Sequence, residues 1–425
     1  MHRTETDTDI FIVGAGASGL AAACESASAG ARVICADGND APGRKLAATG
    51  NGRCNITNAF CNALVYNRDA VSFVRRIIHS DTVEKTVEWF ENNGLLIVEE
   101  QEGRCYPYSG QASSVVDMLF KTAVSHGAEF YFGDKITSCS SEDGVFVVRF
   151  ESGCVVTAKK LIIAAGGRAG LRFGSTGDGF GFAKSFGHTL NAPRPALVAC
   201  ESDDPAVEGI KGRARARVTL LDNGSEKYSE YGEVQFTGTG LSGICVMNVT
   251  RYMRAPRPAG KRKMKRTDSL PAQIEEQHDY IIRLNFMPEL DAEELAEVIF
   301  KSIEINGITL EEALSWIVNS RIAKKAAALS SGADVRETAE RAAGLLQHFD
   351  VRVKSTKGWN DAQVTRGGVR TSEVNCENME SKIIPGLYFC GEVLDVDGPC
   401  GGYNLQWAWS SGFLCGRSAA EACDA

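Results

Sequence analysis

The sequence lacks the patterns of a membrane protein, a disulfide-stabilised fold or a metalloprotein. No apolar run approaches the ~20 residues that a helix needs to cross a bilayer. The start, MHRTETDTD, is polar and acidic, unlike a signal or transit peptide. The 14 cysteines form no Cys-x-x-Cys pair and the six histidines form no His-x-x-x-His pair, which argues against a metal site. We therefore expect a cytoplasmic protein with reduced, mostly buried cysteines and no metal.

The overall composition is that of a folded, acidic protein. Its 425 residues are 44% hydrophobic, a length and composition that suggest two or three domains. The net charge of −8 argues against general nucleic-acid binding.

The stretch DIFIVGAGASGLAAACESASAGARVICADG is typical of a strand, helix and strand that bind a dinucleotide. An apolar run ends at Gly14, an alanine-rich segment ends at Gly30, and a second apolar run ends at Asp37. In the G-x-G-x-x-G pattern, Gly14 makes the turn, Gly16 lets a pyrophosphate approach the backbone, and Gly19 lets helix pack on strand. The helix start presents free N–H groups to the phosphates, and Asp37 is placed to bind a ribose. This pattern alone does not separate NAD from FAD.

A second glycine-rich loop, APGRKLAATGNGRCNITN, follows where an NAD-binding domain would continue with its next helix. Arg44, Lys45 and Arg53 bring three positive charges within ten residues, and two glycines flank Asn51. Such a loop suits a second wrap around an anionic diphosphate and its ribityl chain, which favours FAD. The alternative is a solvated basic loop.

A third segment lies near the other end of the chain, where GLYFCGE reads as a short strand and VDGPCGGYNLQWAW opens a helix that runs through Ser418. Glu392, after the strand, is placed to bind ribityl hydroxyls. A helix that begins near Gly402 would aim its positive end at the N1/O2 edge of a flavin, where negative charge accumulates on reduction. We expect the glycine pair to let the ring approach and the two tryptophans to pack the helix. A nucleotide half near the start and a flavin half near the end indicate FAD.

Four segments together resemble the bacterial FAD-dependent oxidoreductases of the aminoacetone-oxidase and bile-acid-dehydro-reductase type, within the glutathione-reductase-like flavoprotein superfamily. They are GRKLAATGNGRCNITN, GRCYPYSGQASSVVDML, DAQVTRGGVRTSEVN and GLYFCGEVLDVDGPCGGYNLQWAWSSG. The resemblance implies that Ile136 meets the adenine through its backbone and that Ala165-Gly166-Gly167 turns close to the cofactor. Motifs and resemblance together predict these cofactor-binding residues: Gly14, Gly16, Ala17, Ser18, Gly19, Asp37, Arg44, Lys45, Asn51, Gly52, Arg53, Cys54, Asn55, Ile136, Ala165, Gly166, Gly391, Glu392, Gly402, Tyr403, Asn404, Leu405 and Gln406.

The predicted fold class is α/β, with a Rossmann-type FAD-binding domain built from both chain ends, an inserted β-rich domain and a small helical subdomain. We place the FAD-binding domain at residues 1–190 and 350–425, the β-rich substrate domain at 191–288 and the helical subdomain at 289–349. The β-rich assignment follows from RARARVTLL, which alternates as a half-exposed strand does. The helical one follows from apolar spacing between Leu295 and Leu346.

One basic segment departs from the acidic composition. RYMRAPRPAGKRKMKR, residues 251–266, holds eight basic residues in sixteen and no acid. It is interpreted as a solvated loop between strands, with a site for RNA or for the 2′-phosphate of NADPH as the alternative. No second G-x-G-x-x-G follows a strand, so NAD(P)H, if it reduces the flavin, binds transiently.

The sequence identifies no catalytic acid or base. Cys400 precedes a helix start, which would lower the pKa of its thiol, yet a packing role is favoured because no resolving cysteine is adjacent. Tyr106 and Tyr108 around a proline are interpreted as a packed turn, and His188 as structural.

A departure from the resembled family also leaves the catalytic groups open. Many members carry a histidine and a proline where this sequence has Gly238 and Ile244, so a catalytic role of that histidine does not transfer.

Three functions remain at this point. The first is an FAD oxidoreductase acting on an amino ketone or a steroid-like enone, with NAD(P)H or oxygen as second partner. The second is a flavin-dependent RNA-modifying enzyme, and the third is a flavin-binding protein with a regulatory role. The sequence does not indicate an oligomeric state.

Overall fold

The computed structural model describes residues 5–253 and 278–424. Most of the basic segment, residues 254–266, therefore lies outside the described residues. The chain divides into two compact units: Met1–Ala196 together with Ala362–Ala425, and Leu197–Asp361. No helix in the described part of the chain is both long and apolar enough to span a bilayer.

Strands and helices alternate through the first unit, whereas the second has mainly strands followed by helices. The strands are β1 (Glu5–Val13), β2 (Val33–Asp37), β3 (Thr57–Asn58), β4 (Ile97–Glu99), β5 (Arg104–Pro107), β6 (Glu129–Phe132), β7 (Ile136–Glu142), β8 (Val145–Phe150), β9 (Val155–Ile163), β10 (Leu190–Ala196), β11 (Cys200–Glu201), β12 (Lys211–Asp222), β13 (Ser225–Thr237), β14 (Gly240–Ser242), β15 (Tyr280–Asn285), β16 (Phe349–Arg352), β17 (Ser355–Thr356), β18 (Val364–Val369) and β19 (Leu387–Phe389). The helices are α1 (Ala17–Ser28), α2 (Arg44–Ala47), α3 (Val71–Val74), α4 (Thr82–Asn92), α5 (Ala112–Ser125), α6 (Asp178–Ser185), α7 (Ile244–Thr250), α8 (Ala292–Asn306), α9 (Leu310–Ser315), α10 (Ser320–Leu329), α11 (Val335–Gln347) and α12 (Tyr403–Asp424).

The first unit is built on a sheet in the order β6-β2-β1-β9-β8-β7, with β19 also paired to β9. Strand β1 lies parallel to β2 and β9, and β19 lies parallel to β9. Ile10, Phe11 and Ile12 are completely buried, as expected for a strand at the centre of a covered parallel sheet. The predicted Rossmann-type α/β fold is confirmed, and its sheet includes a strand from each end of the chain.

Helices α1 and α12 cross in close contact and so join the two chain ends. A Cβ atom placed on Gly412 would lie 2.6 Å from Ser18 O, and one on Gly416 would lie 2.4 Å from Ala22 O. Neither position has room for a side chain. Ser26 Oγ also donates to Gly416 O at 3.0 Å. Glycine at two positions one turn apart thus sets the distance between these helices.

The second unit contains a mainly antiparallel sheet in the order β16-β15-β12-β13-β14-β11-β17. Strand β12 alternates as predicted, since Arg213, Arg215 and Arg217 are exposed while Ala216 and Val218 are buried.

Helices α8 to α11 share one hydrophobic core with this sheet. Leu284 and Phe349 from strands belong to the same buried cluster as Leu295 and Leu346 from helices. Strand β16 pairs with β15, so residues 350–361 lie in the second unit and not with the chain ends, where we had placed them. The helical segment is likewise part of this unit rather than a separate subdomain.

Candidate cofactor site

The start of α1 is open at one glycine and closed by protein at the other two. Gly16 is the N-cap, no side chain caps the helix, and a Cβ placed on Gly16 would have nothing within 4 Å. A Cβ on Gly14 would lie 2.8 Å from Ala164 O, and one on Gly19 would lie 1.8 Å from Gly14 O. The open position at a positive helix end suits a diphosphate, and the crowded glycines let strand, helix and turn pack.

Asp37, at the end of β2, holds the glycine turn in place. Its Oδ2 accepts from the Ala15 N–H at 2.9 Å, and its Oδ1 accepts from the N–H and Nδ2 of Asn39, each at 2.9 Å. Gly133, in the turn before β7, donates to Asp37 O at 3.2 Å. This turn brings Ile136, the first residue of β7, into the neighbourhood of Asp37.

Arg44 and Arg53 of the second glycine loop pair with carboxylates. Arg44 lies 3.6 Å from Asp40, and Arg53 lies 2.5 Å from Glu100. The Arg53 guanidinium also lies 4.1 Å from the ring centroid of Tyr106. These two cations therefore contact different protein groups, and their predicted role in binding the diphosphate and its ribityl chain stays a prediction.

The tip of this loop is built from left-handed backbone. Gly50, Asn51 and Gly52 have φ values of 56°, 55° and 84°, and all three are exposed. Cys54, which follows, is buried, and burial raises the pKa of its thiol to about 12. Its sulfur is thus a neutral packing group, so a contact of Cys54 with a cofactor would be through its backbone.

Glu392 joins three segments of the predicted site. Its Oε2 accepts from Lys45 Nζ at 2.7 Å and its Oε1 from the Thr365 N–H at 2.5 Å. Thr365 Oγ1 in turn accepts from the N–H groups of Arg168 and Ala169, at 2.7 and 3.0 Å. Helix α2, strand β18 and the turn after β9 therefore converge on one carboxylate.

The turn after β9 alternates between open and crowded positions. Ala165 is half-buried, and a Cβ placed on Gly166 would have nothing within 4 Å. A Cβ on Gly167 would lie 2.3 Å from Thr365 Oγ1. Sequence reasoning assigned no role to Thr365, although it lies in DAQVTRGGVRTSEVN, one of the four segments that carry the resemblance.

The start of α12 is fixed against the second glycine loop. Gly402 has φ of 99°, and a Cβ there would lie 2.5 Å from Thr57 O and 3.0 Å from Asn55 Oδ1. Asn58 Nδ2 donates to Gly401 O at 3.0 Å. The absence of a side chain at Gly402 is therefore needed for two backbones to meet, and not only for the approach of a flavin ring as we had expected.

The next residues stabilise the first turn of α12. Tyr66 donates from its hydroxyl to Tyr403 O at 2.7 Å. Asn404 Oδ1 accepts from the Gly398 N–H at 2.8 Å, which closes the preceding loop. Leu405 is half-buried against the main core of the first unit.

Gln406 holds α12 in the core. It is completely buried; its Oε1 bonds to Thr57 Oγ1, and its Nε2 donates to Thr86 Oγ1 and Ser410 Oγ, each at 2.8 Å. Its side chain faces these groups rather than a cofactor pocket, contrary to our expectation.

Gly391 connects α1 to α12. A Cβ placed on it would lie 2.3 Å from Ser18 Oγ, and its N–H donates to Ser411 Oγ at 2.9 Å. Trp407 Nε1 donates to Gly391 O at 3.1 Å. Trp407 and Trp409 are both buried, so the prediction that they pack the helix is confirmed.

A buried polar cluster that the sequence analysis missed shapes the loop before α12. Asp395 Oδ2 accepts from Asn191 Nδ2 at 2.6 Å and its Oδ1 from the Gly367 N–H at 3.0 Å. Asn67 N–H donates to Asp397 O at 2.9 Å, and the Asp397 N–H donates back to Asn67 Oδ1 at 3.0 Å. Burial raises the pKa of the Asp395 carboxyl above its ordinary value. The available signal was a pair of acids inside the apolar run VLDVDG.

His188 is structural, as predicted. It is buried, its Nε2 lies 2.8 Å from Ser381 Oγ, and its Nδ1 lies 3.2 Å from Glu373. Burial lowers the pKa of its ring, opposed by the charge of Glu373. Phe389 packs edge-on against it at 4.6 Å.

The remaining candidate side chains do not form a catalytic group. Tyr108 is 75% exposed, and Tyr106 packs against Arg53. Cys400 is half-buried, with Sγ 3.7 Å from Gln363 Oε1.

The residues of the first unit fit FAD. Gly16 and Gly166 leave open space beside the backbone. Among the described residues, Asn55 Oδ1 is buried without a hydrogen-bond partner beside the start of α12. A protein interior rarely leaves such an atom unpaired, and a ligand or an ordered water usually completes it.

Known proteins resemble this chain over almost its full length. The family described as HI0933-like protein Rossmann domain matches residues 8–418. A 3-dehydro-bile acid delta(4,6)-reductase of Clostridium scindens is 33% identical, over 97% of this chain and 99% of that protein. Ribosomal RNA dihydrouridine synthases of Escherichia coli and Haemophilus influenzae are each 28% identical, over 96% of this chain and 97% of their own.

A solved structure supports the fold alone. The open conformation of a flavocytochrome c3 fumarate reductase aligns with a TM-score of 0.51 at 16% identity, over 98% of this chain and 79% of that one. Since the family match spans nearly the whole chain and the first unit fits FAD, the chain belongs to the HI0933-like family and is an FAD-dependent oxidoreductase.

Proposed function

We propose that this protein reduces a carbon–carbon double bond conjugated to a carbonyl group in a small, steroid-like enone. The observation that carries the proposal is the 33% identity, over 97% of the chain, to a relative named for the reduction of a 3-dehydro bile acid. An amino ketone is the alternative small substrate. NAD(P)H is the proposed transient source of hydride, with oxygen as the alternative second partner.

Bound FAD supplies the hydride transfer, and the chain supplies placement and charge. The start of α1 binds the diphosphate at Gly16, and Asp37 binds a ribose hydroxyl while holding the glycine turn. The start of α12 presents its N–H groups to the flavin ring. We assign the cofactor to the first unit and a part in substrate selection to residues 197–361.

The test is an anaerobic reaction screen on the purified protein. Heat-released flavin should be FAD, and NADH or NADPH should bleach its absorbance. A 3-oxo-Δ4 steroid should then restore the absorbance at least tenfold faster than the matching saturated 3-oxo steroid, which is the control. Reaction with α-amino ketones but with no enone would overturn the proposed substrate class.

A second candidate function is reduction of a uracil base in RNA. The 28% identity to ribosomal RNA dihydrouridine synthases favours it, together with the exposed cations of β12 at Lys211, Arg213, Arg215 and Arg217. Residues two apart on a strand lie on one face, so these cations form one basic row.

The measurement is dihydrouridine formed in a ribosomal RNA transcript incubated with the protein and NADPH. A triple substitution of the three arginines by Gln should lower RNA retention at low salt. A protein that forms no dihydrouridine, and whose RNA retention is unchanged by the substitutions, would remove this candidate.

A further inference from the structure

The side chain of Asn55 is a polar group without a protein partner at the start of a long helix. Asn55 is 9% exposed, and its Oδ1 is buried. Within residues 5–253 and 278–424, Oδ1 makes no hydrogen bond. A buried amide oxygen without a donor is unfavourable, so an N–H or O–H group from a ligand would be stabilising at this position.

The backbone around Asn55 is held on both sides. Before it, the Cys54 N–H donates to Thr49 O at 3.0 Å. After it, the Ile56 N–H donates to Cys105 O at 2.8 Å, and Ile56 O accepts from Trp409 Nε1 at 2.9 Å. The backbone that carries this amide is therefore held in place before any ligand binds, which suits a specific recognition group.

Asn55 Oδ1 lies next to the start of α12. It lies 3.0 Å from the point where a Cβ on Gly402 would be, and Gly402 immediately precedes the first residue of that helix. Two features thus meet at one place: a buried acceptor that lacks a donor, and helix N–H groups that favour an acceptor or negative charge. A ligand that satisfies both carries a donor beside an acceptor, and an N–H flanked by carbonyl oxygens is such a pattern.

The isoalloxazine ring of FAD has this pattern, because its N3–H lies between the carbonyls at C2 and C4. We propose that Asn55 Oδ1 accepts a hydrogen bond from the flavin N3–H. The proposal rests on the binding of FAD with its ring at the start of α12. Asn55 is then a positioning residue that fixes how the ring is turned in its own plane.

The test compares FAD with N3-methyl-FAD, which lacks the N3–H, in reconstitution of the apoprotein. Wild-type protein should bind FAD at least tenfold more tightly than the methylated analogue. Asn55→Ala should weaken FAD binding about tenfold and abolish most of the preference between the two flavins. Asn62→Ala is the matched control, since Asn62 is an exposed asparagine of the same region whose Oδ1 already accepts from the Leu64 N–H.

A spectroscopic readout covers the case in which Asn55→Ala does not fold. In wild-type holoprotein carrying 15N-labelled FAD, the N3–H proton should be protected from exchange with solvent. Asn55→Asp should still bind FAD, because it retains an acceptor of the same size.

Two results would overturn the assignment: an unprotected N3–H in wild-type protein, or an Asn55→Ala variant that keeps the full preference for FAD. If the ribityl hydroxyls were the true partner, Asn55→Ala would weaken both flavins equally. Failure of wild-type protein to bind FAD would instead remove the cofactor itself.

Discussion

At the scale of single residues, the glycines near the cofactor site differ in what they require. Gly16 faces open space, whereas Gly402 is pressed against the backbone of Thr57. Both were predicted as cofactor residues from the same kind of pattern. The sequence shows that a position is glycine. Whether that glycine makes room for a ligand or for another part of the chain depends on contacts with segments that can lie hundreds of residues away.

We predict that Gly402→Ala weakens FAD binding at least tenfold and lowers the melting temperature. The left-handed conformation disfavours alanine by about 1–2 kcal/mol, and the new Cβ would also meet Thr57 O at 2.5 Å. Gly30→Ala is the control, because Gly30 also has positive φ but has nothing within 4 Å of the Cβ position. Equal effects of the two variants, measured by FAD titration and thermal unfolding, would refute the role of the close approach.

We also predict that Lys45 and Glu392 are energetically coupled. Their side chains are 28% and 22% exposed, so water screens the pair only in part. A double-mutant cycle of Lys45→Met and Glu392→Gln, followed by denaturant unfolding, should give a coupling of about 1 kcal/mol or more.

The matched control for this cycle is the exposed pair Lys121 and Asp117. Its coupling should stay within about 0.5 kcal/mol. A Lys45–Glu392 coupling no larger than that of the control would mean that the pair does not hold the site together.

At the scale of elements, the close packing of α1 against α12 links the two halves of the candidate cofactor site. Gly412 and Gly416 of α12 lie one turn apart and face the backbone of Ser18 and Ala22. The separation of the two helices thus determines how the open start of α1 stands relative to the start of α12.

We predict that Gly416→Ala destabilises the protein by about 1–3 kcal/mol, because the new Cβ would lie 2.4 Å from Ala22 O and force the helices apart. Gly344→Ala, inside α11, is the opposite control. Nothing lies within 4 Å of its Cβ position, so it should be neutral or stabilising by about 0.5–1 kcal/mol. Destabilisation of similar size in both variants would contradict the packing explanation.

The elements of the site could be predicted where a short stretch of sequence contains the whole pattern. The turn at Gly14 to Gly19 follows from three glycines in one strand–helix unit, and the start of α12 near Gly402 follows from a glycine pair before large side chains. The partners of Lys45 and Gln406 were not predictable. Glu392 lies 347 residues from Lys45 and Thr57 lies 349 residues from Gln406, so their contacts depend on how the whole sheet assembles.

At the scale of the whole molecule, the sequence predicted an interrupted FAD-binding region but placed its inner boundaries at residues 190 and 350, where the structure has them at 196 and 362. Residues 350–360 carry no motif, and it is the pairing of β16 with β15 and of β17 with β11 that places this stretch in the second unit. Pairing between strands 60 residues or more apart leaves little trace in composition.

Acid stability of the molecule should depend on His188. Burial holds the pKa of its ring below the ordinary value, so the folded protein favours the neutral ring. As pH falls through about 6.5, the unfolded chain takes up the proton more readily, and stability is lost by up to about 1.4 kcal/mol per pH unit.

The measurement is urea unfolding between pH 7.5 and pH 5. His188→Gln should show a shallower decline than wild-type protein, while His126→Gln, at an exposed position, should leave the decline unchanged. Identical slopes for wild type and His188→Gln would refute the prediction.

Glu373, which faces His188, should contribute little to the loss of stability between pH 7.5 and pH 5. Burial raises its pKa, but hydrogen bonds from Thr189 hold that pKa below its ordinary value.

The interleaving of the chain also has a consequence for synthesis on the ribosome. Strand β1 and the open start of α1 are made first, whereas β19 and α12, between Leu387 and Asp424, are made after the whole second unit. Asn55 and Thr57 are synthesised early, but they can contact Gly402 only after most of the chain has been translated. With FAD bound as we propose, its binding is a late event, so we predict that nascent chains that stop within the second unit carry no flavin.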